Sequence, residues 1–382
     1  MKRTVLFFLI FALIICAVPL ASAQTAENAA VEFGMYPQSE VKDNKLIKKL
    51  NEQEFTWESY NYYSGTGTWS DGKMKPGNFM MYADVKYGGK MYRAVRIKKY
   101  RPHWTAEKVS FGSSIQKENG YAEGRVYWFE YEPVCWRVID AGSGLLLSDK
   151  IIDSQPYTNV IKQMPDNECS SGSGSFAGSW EHSDLRSWLN GSFTAGCFSA
   201  TEIKEIKETK LENPCRKAGE KSDSPYDGKD TTDKVFLISY EDSLTPGFGF
   251  TEAADSAQER TAPVTDYAKI QGCMVTETGP ESSGSANWWL RTPADNSYNV
   301  CCVMYDGEIR DDMLVIYTMN GVRPALSVNN AENLPRHIEK SGGIGKLFAA
   351  NKTRIIIIAA DIVLLALIAL LAVMIYRKKK NP

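Results

Sequence analysis

The chain has 382 residues, 43% hydrophobic and 24% charged, which excludes wholesale disorder and suits a packed globular body. The net charge is −2, but basic residues crowd the two ends: residues 24–354 hold thirty-eight basic against forty-five acidic side chains, a balance of −7. Such a balance excludes an electrostatic footprint for nucleic acid or anionic lipid.

In chain order, residues 1–23 read as a cleavable signal peptide. Lys2 and Arg3 precede an apolar run from Val5 to Leu20, and Ala21-Ser22-Ala23 is a small-x-small cleavage site. Bulky Ile15 before Cys16 argues against a lipoprotein box. A polar leader runs to residue 30, and a folded extracellular body is expected over 31–328. Two strands, Met80–Lys86 and Met91–Ile97, flank Gly88-Gly89, a pair tolerant of positive φ. Val134–Asp140 and Leu145–Ser148 flank a second turn, and Val300–Tyr305 leads into Asp306-Gly307. Met313–Met319 and Val322–Val328 flank Asn320-Gly321, a strong hairpin signal, with Pro324 marking an edge or bulge.

Two helices are predicted. Ser183 caps one through Asn190 that Gly191 ends. The capping box Ser199-Ala200-Thr201-Glu202 opens another through Lys210, with Ile203 and Ile206 on its buried face. A short third helix is expected from Ser239. The Gly-, Ser- and acid-rich stretches near 170–179, 220–233, 245–262 and 277–285 are expected to be surface loops. The class is α+β: antiparallel hairpins with a few short helices and long loops.

Residues 329–354 read as a stalk, and 355–376 as one C-terminal transmembrane helix about 33 Å long, matching a hydrocarbon core of about 30 Å. Arg377 and Lys378–Lys380 make 377–382 a cytoplasmic tail and place the body outside the cell. Asp361 lies within the span, where a carboxylate is costly, and is a candidate contact for a membrane partner. Seven cysteines follow the signal peptide, so at least one thiol stays unpaired or pairs between chains.

Several phrases recur along the body: Phe33-Gly34-Met35-Tyr36-Pro37-Gln38, Glu132-Pro133-Val134-Cys135-Trp136-Arg137-Val138, and Leu145-Leu146-Leu147-Ser148 with Ser154-Gln155-Pro156-Tyr157. Further on come Trp180 with Leu185–Asn190, Asp233–Ser239, Asp266-Tyr267-Ala268, Trp288-Trp289-Leu290-Arg291 and Gly321–Leu326. In this order they resemble an uncharacterised family of bacterial surface-protein domains, a domain of unknown function. The resemblance covers roughly residues 31–328 and implies a bacterial origin and no known activity. The last two phrases also resemble the end of the C-type-lectin-like fold, shared by formylglycine-generating enzymes and retroelement-diversified receptors. That likeness concerns fold, and fold does not fix function.

Adjacent residues on a strand face opposite ways, so one of Trp288 and Trp289 is expected in the core and the other at the surface. Trp289, Arg291, Tyr298, Tyr305 and Asp306 are the candidate ligand surface, since aromatics and arginine are favoured at binding hot spots. Trp188, Trp288 and Arg323 are expected to be structural, and Arg291 and Arg323 part-buried against carbonyls or carboxylates. The alternative, that this whole cluster is interior, stays open. No catalytic residue, metal ligand or cofactor is assigned. His103, His182 and His337 are isolated, and Cys301-Cys302 lacks the spaced copper-binding pair of formylglycine-generating enzymes. Asp223, Asp227, Asp230 and Asp233 are not spaced as an EF-hand and read as a solvated loop.

The expectation is a membrane-anchored extracellular binding or adhesion module for an unknown glycan, peptide or protein. The alternatives are a copper- or thiol-dependent surface enzyme and a structural envelope protein.

Overall fold

The computed structural model describes residues 30–59, 79–105, 114–159, 177–216, 224, 226–277, 284–296 and 298–337. The expected signal peptide, transmembrane helix, basic tail and Asp361 lie outside them. Among the described residues no helix is long and apolar enough to cross a membrane.

The elements follow the α+β expectation. They are β1 (Ala30–Glu40), α1 (Asn44–Asn51), β2 (Glu58–Ser59), β3 (Met80–Tyr87), β4 (Lys90–Ile97), α2 (Ile115–Glu118), β5 (Val126–Asp140), β6 (Leu145–Ser148) and β7 (Asp153–Ser154). Next come α3 (Asp184–Trp188), α4 (Thr194–Cys197), α5 (Ala200–Glu205), β8 (Thr209–Leu211), β9 (Thr231–Asp233), β10 (Val235–Phe236) and α6 (Asp266–Gln271). The last strands are β11 (Trp288–Pro293), β12 (Asn299–Val303), β13 (Ile309–Leu314), β14 (Gly321–Val322) and β15 (Ala325–Ser327).

An eight-stranded sheet runs β10-β15-β6-β5-β4-β3-β2, with β1 added along β5. A five-stranded sheet runs β13-β12-β11-β14-β7, and β8 pairs with β9. The predicted β3–β4 hairpin is present: Tyr87 faces Lys90, and both turn glycines have positive φ (56° and 82°), the condition for a tight turn that matches strand twist. Alternation along β3–β5 gives the large sheet two apolar faces. Val95, Ile97 and Phe129 join the main core, whereas Ala83, Val85, Ala94 and Trp128 pack under Leu50 of α1.

Asn320-Gly321 is not a hairpin turn, which corrects the prediction there. Gly321 opens β14, lies parallel to Trp288 of β11 and antiparallel to Ser154 of β7. A Cβ on Gly321 would fall 2.4 Å from Ile151 Cγ2 and 3.1 Å from the Asn287 carbonyl, so glycine is needed for close approach rather than for a turn. At Arg323-Pro324 the chain leaves the five-stranded sheet and enters the eight-stranded one as β15, and the missing proline N–H falls at that crossing.

Gly191 does not end its helix either. A π-helical turn (Leu189–Phe193) carries α3 into α4. Leu185, Leu189, Phe193 and Cys197 are all buried at every fourth position. On an α-helix such a row drifts by about 40° per step, and the wider π turn offsets that drift. The Ser199 capping box forms, but α5 stops at Glu205. Ile206 instead bridges to Val328, and residues 209–211 become β8. The segment from Asn329 folds back onto the body: Ala331 is buried and Glu32 N donates to the Pro335 carbonyl at 2.8 Å, so residues 331–335, expected in a stalk, belong to the folded body, and the rest of that stretch from residue 338 lies outside the described residues. No disulfide joins the six described cysteines.

Asp153 on β7 is fully buried where the two sheets meet. The Tyr36 hydroxyl donates to its Oδ2 at 2.5 Å, and Ser154 N (2.6 Å) and Gln155 Nε2 (3.3 Å) donate to Oδ1. Burial pushes the carboxyl up to about 6 despite these donors and the charges of Arg101 and Arg93. A folded-state value above the ordinary carboxylate one gives stability that is complete at low pH. It is lost as pH rises toward 6. The loss is about 3 kcal/mol between pH about 4 and about 6. Urea unfolding of wild type against Asp153→Asn across that window checks this, since the difference between them should shrink with rising pH.

Candidate functional site

The recurring phrases meet one another in the interior. Asp233 accepts from Arg186 Nε (2.7 Å), Trp180 Nε1 (3.0 Å) and Thr231 Oγ1 (2.9 Å). It is therefore a core carboxylate rather than part of a solvated acidic loop. Asn190 clasps the same segment, donating to the Val235 carbonyl and accepting from Lys234 N and Val235 N. Trp136 Nε1 donates to the Phe33 carbonyl, and Gln38 Nε2 to the carbonyls of Glu132 and Pro133. Trp188 is half-buried against Phe193, with centroids 5.2 Å apart.

Both tryptophans of β11 are buried at 0% exposure, which corrects the expectation that Trp289 faces a ligand. Both sides of β11 are covered: Trp289 Nε1 donates to the Gln155 carbonyl at 2.8 Å, and Trp288 Nε1 to the Arg260 carbonyl at 3.1 Å. Arg323 stacks over Trp288 at 5.0 Å and donates to the carbonyls of Ser148 and Arg260. Burial, with Arg137 nearby, pushes its guanidinium down to about 9. Arg291 is also buried, donating through Nη1 to the Leu237 carbonyl (3.1 Å) and Asp242 Oδ2 (2.8 Å).

These contacts converge on the connection between β10 and α6, residues 237–265. It contains only the 3-10 turns Asp242–Leu244, Pro246–Phe248 and Gln258–Arg260. The first is the helix expected from Ser239, reduced to one turn in which Ser239 and Asp242 cap each other reciprocally. Arg260, at 0% exposure, holds the connection together. Its Nε donates to the Gly307 carbonyl (2.7 Å), Nη1 to Thr251 O (3.2 Å) and Thr251 Oγ1 (2.9 Å), and Nη2 to the Asp255 carbonyl. Sequence reasoning missed this residue; the available signal was a single arginine in a Gly-, Ser- and acid-rich stretch.

The β12–β13 turn is tied to the same body. Ala257 N donates to the Asp306 carbonyl (3.1 Å), Ile309 N to the Ala254 carbonyl (2.8 Å) and Ser256 Oγ to Asp306 Oδ2 (2.8 Å). Gly307 has φ 86°, and a Cβ there would collide with the Ala257 carbonyl. The resulting surface presents Tyr305 (37% exposed), half-buried Asp306 and Phe248, and exposed Glu241, Glu252 and Asp255. It is acidic with an aromatic component.

Tyr298 is exposed at 44% but lies before β12, whereas Tyr305 follows it. Seven residues of near-extended chain separate the two by roughly 20 Å, so they do not form one patch. Arg291 reaches the site through Asp242 as a brace and not as a contact residue. Among the described residues no group of three or more His, Cys, Asp or Glu is placed to hold a metal ion. Cys301 and Cys302 are adjacent on β12, and burial raises both thiols above their ordinary range, against thiolate formation.

No curated protein and no solved structure matches the chain. The model of a family described as Domain of unknown function (DUF6273) matches residues 141–330, so the phrases before Ala141 lie outside the match. The matched part contains Asp233, Arg260, Arg291, Arg323, β11 and the braced connection, and over these residues the chain is similar to that uncharacterised domain family.

Proposed function

We propose that the chain is a membrane-anchored extracellular binding or adhesion module whose contact surface is the Arg260-braced connection with the turn around Tyr305. The observation that carries this reading is a long irregular segment held from beneath by a buried guanidinium. Connections longer than about 12–15 residues without regular structure are uncommon and usually functional. Fixing such a segment in advance lowers the ordering cost of binding. Its acidity, with Tyr305 and Phe248, favours a peptide or protein presenting Lys or Arg over a neutral glycan. The anchor, export and outward orientation rest on residues 1–23 and 355–380. A C-type-lectin-like reading of the fold is supported by β11 and β14 lying side by side, Trp288 opposite Gly321.

The test is the full chain in lipid nanodiscs against protein, peptide and glycan arrays. Salt-sensitive capture of basic partners is expected, with Tyr305→Ala weakening it about tenfold or more. Silence on every array, or capture indifferent to Tyr305, rejects the assignment.

A further inference from the structure

The acidic balance of the body hides an uneven placement of its charges. Residues 237–265 and 304–312, the braced connection and the turn around Tyr305, hold nine acidic side chains against two basic ones, one of them the interior Arg260. Residues 41–59 and 79–99, which form α1 and β2 to β4, hold ten basic against five acidic. On α1 the surplus sits on the outer side. Leu46, Ile47 and Leu50 pack into the cluster around Trp128. At about 100° per residue, Lys45, Lys48 and Lys49 fall on the opposite side of the helix. All three are exposed.

Neither surface is neutralised from within the chain. Lys49 is paired with Glu52, but Lys45 and Lys48 make no ion pair among the described residues. Glu241, Glu252 and Asp255 on the connection are exposed and equally make none. Strand β5 holds the two surfaces apart. Its Trp128 lies under α1, with Nε1 donating to Asn51 Oδ1 at 2.8 Å. Its Arg137 stacks on Phe250 of the connection at 5.7 Å. Nine residues of extended strand separate these two points by about 30 Å. The lysines of α1 therefore cannot reach the carboxylates of their own connection, and each surface is left for a different neighbour.

We infer that the basic partner of the acidic surface is a second copy of this chain, which offers the outer side of its α1. The inference rests on the connection and the Tyr305 turn being the contact surface. Opposite potentials on two separated patches favour this pairing and disfavour like patches meeting. The contact is heterologous: each copy uses its acidic side on one neighbour and its basic side on the next, so it repeats from copy to copy. Exposed charge pairs are individually weak, so the contact forms where anchors concentrate the copies and not in dilute solution.

The test is energy transfer between donor- and acceptor-labelled full chains in liposomes of neutral phosphatidylcholine. Two charge-reversed variants are compared with wild type: Lys45→Glu with Lys48→Glu, and Glu241→Lys with Glu252→Lys. All four positions are exposed, and unchanged thermal unfolding certifies the fold of each variant. Wild type is expected to show transfer above that of either variant alone, falling as salt is raised. Mixing the two variants should restore it, because one keeps the acidic surface and the other the basic helix side. Wild-type transfer no higher than the variants', a variant that keeps wild-type transfer, or a mixture that fails to restore it would each overturn the inference. The Lys45→Glu, Lys48→Glu variant keeps its acidic surface, so its Tyr305-dependent capture of basic partners on the arrays should persist. Capture without transfer in wild type removes the second copy alone, whereas capture indifferent to Tyr305 removes the contact surface itself.

Discussion

Replacing Arg260 with alanine is expected to cost about 3–5 kcal/mol of stability and to free the connection it braces. The side chain is enclosed, and its donors go to the carbonyls of Gly307, Thr251 and Asp255 and to a hydroxyl. Deleting it leaves the buried Gly307 carbonyl without its partner, releases the part-buried acceptors of Thr251 and Asp255, and opens a cavity, and these penalties add. A methionine of similar length refills the space but supplies no donors, so Arg260→Met should recover only the cavity part. The arginine also works from its other end, because its carbonyl accepts from Trp288 and Arg323. Fixed geometry in the interior is thereby passed to the surface around Tyr305. Urea unfolding and hydrogen exchange check this: exchange at Ala257 N and Ile309 N, which bind across to the turn and the connection, should accelerate in both variants. A loss under about 1 kcal/mol with unchanged exchange would show that the brace lies elsewhere.

What could be read from the sequence was mostly local. Gly88-Gly89 specifies its own turn, because positive φ at two neighbouring positions is a property of those residues. The Ser199 capping box is equally self-contained. Signals that depend on distant partners misled. Asn320-Gly321 has turn chemistry, yet Gly321 is required by Ile151, far away in sequence. Gly191 looks like a helix stop, yet the buried row from Leu185 to Cys197 carries the helix through it. Alternation placed one tryptophan of β11 outside, but the five-stranded sheet is covered on both sides there and both are interior. Of the candidate site, Tyr305 and Asp306 were legible as residues at a turn, Tyr305 exposed and Asp306 half-buried. Arg260 was not, because an arginine in a polar loop gives no local sign that carbonyls of its own connection and of the distant β12–β13 turn will enclose it. The recurring phrases are explained by the same logic. Gln38 with Glu132, Arg186 with Asp233, and Asn190 with Val235 are pairs in which neither partner has a local reason to be there.

The second large effect is expected at one of those pairs. Asp233 has a side chain 1% exposed and serves three donors at once: Arg186, Trp180 and Thr231. Asp233→Ala should cost about 3–5 kcal/mol, because it strands a largely buried guanidinium and an indole N–H that has no route to water. Asp233→Asn keeps one acceptor oxygen and should cost clearly less. It remains destabilising because it removes the opposing charge from Arg186. A double-mutant cycle separates pairing from packing. If the ion pair dominates, Arg186→Ala added to Asp233→Ala costs little more, since it removes the very charge that Asp233→Ala has stranded, and the coupling falls at about 1–3 kcal/mol. If the two losses simply add, Asp233 holds the segment through Trp180 and Thr231 alone. The pairing of α3 with β9 would then rest on the neutral contacts and on the clasp of Asn190 over β10.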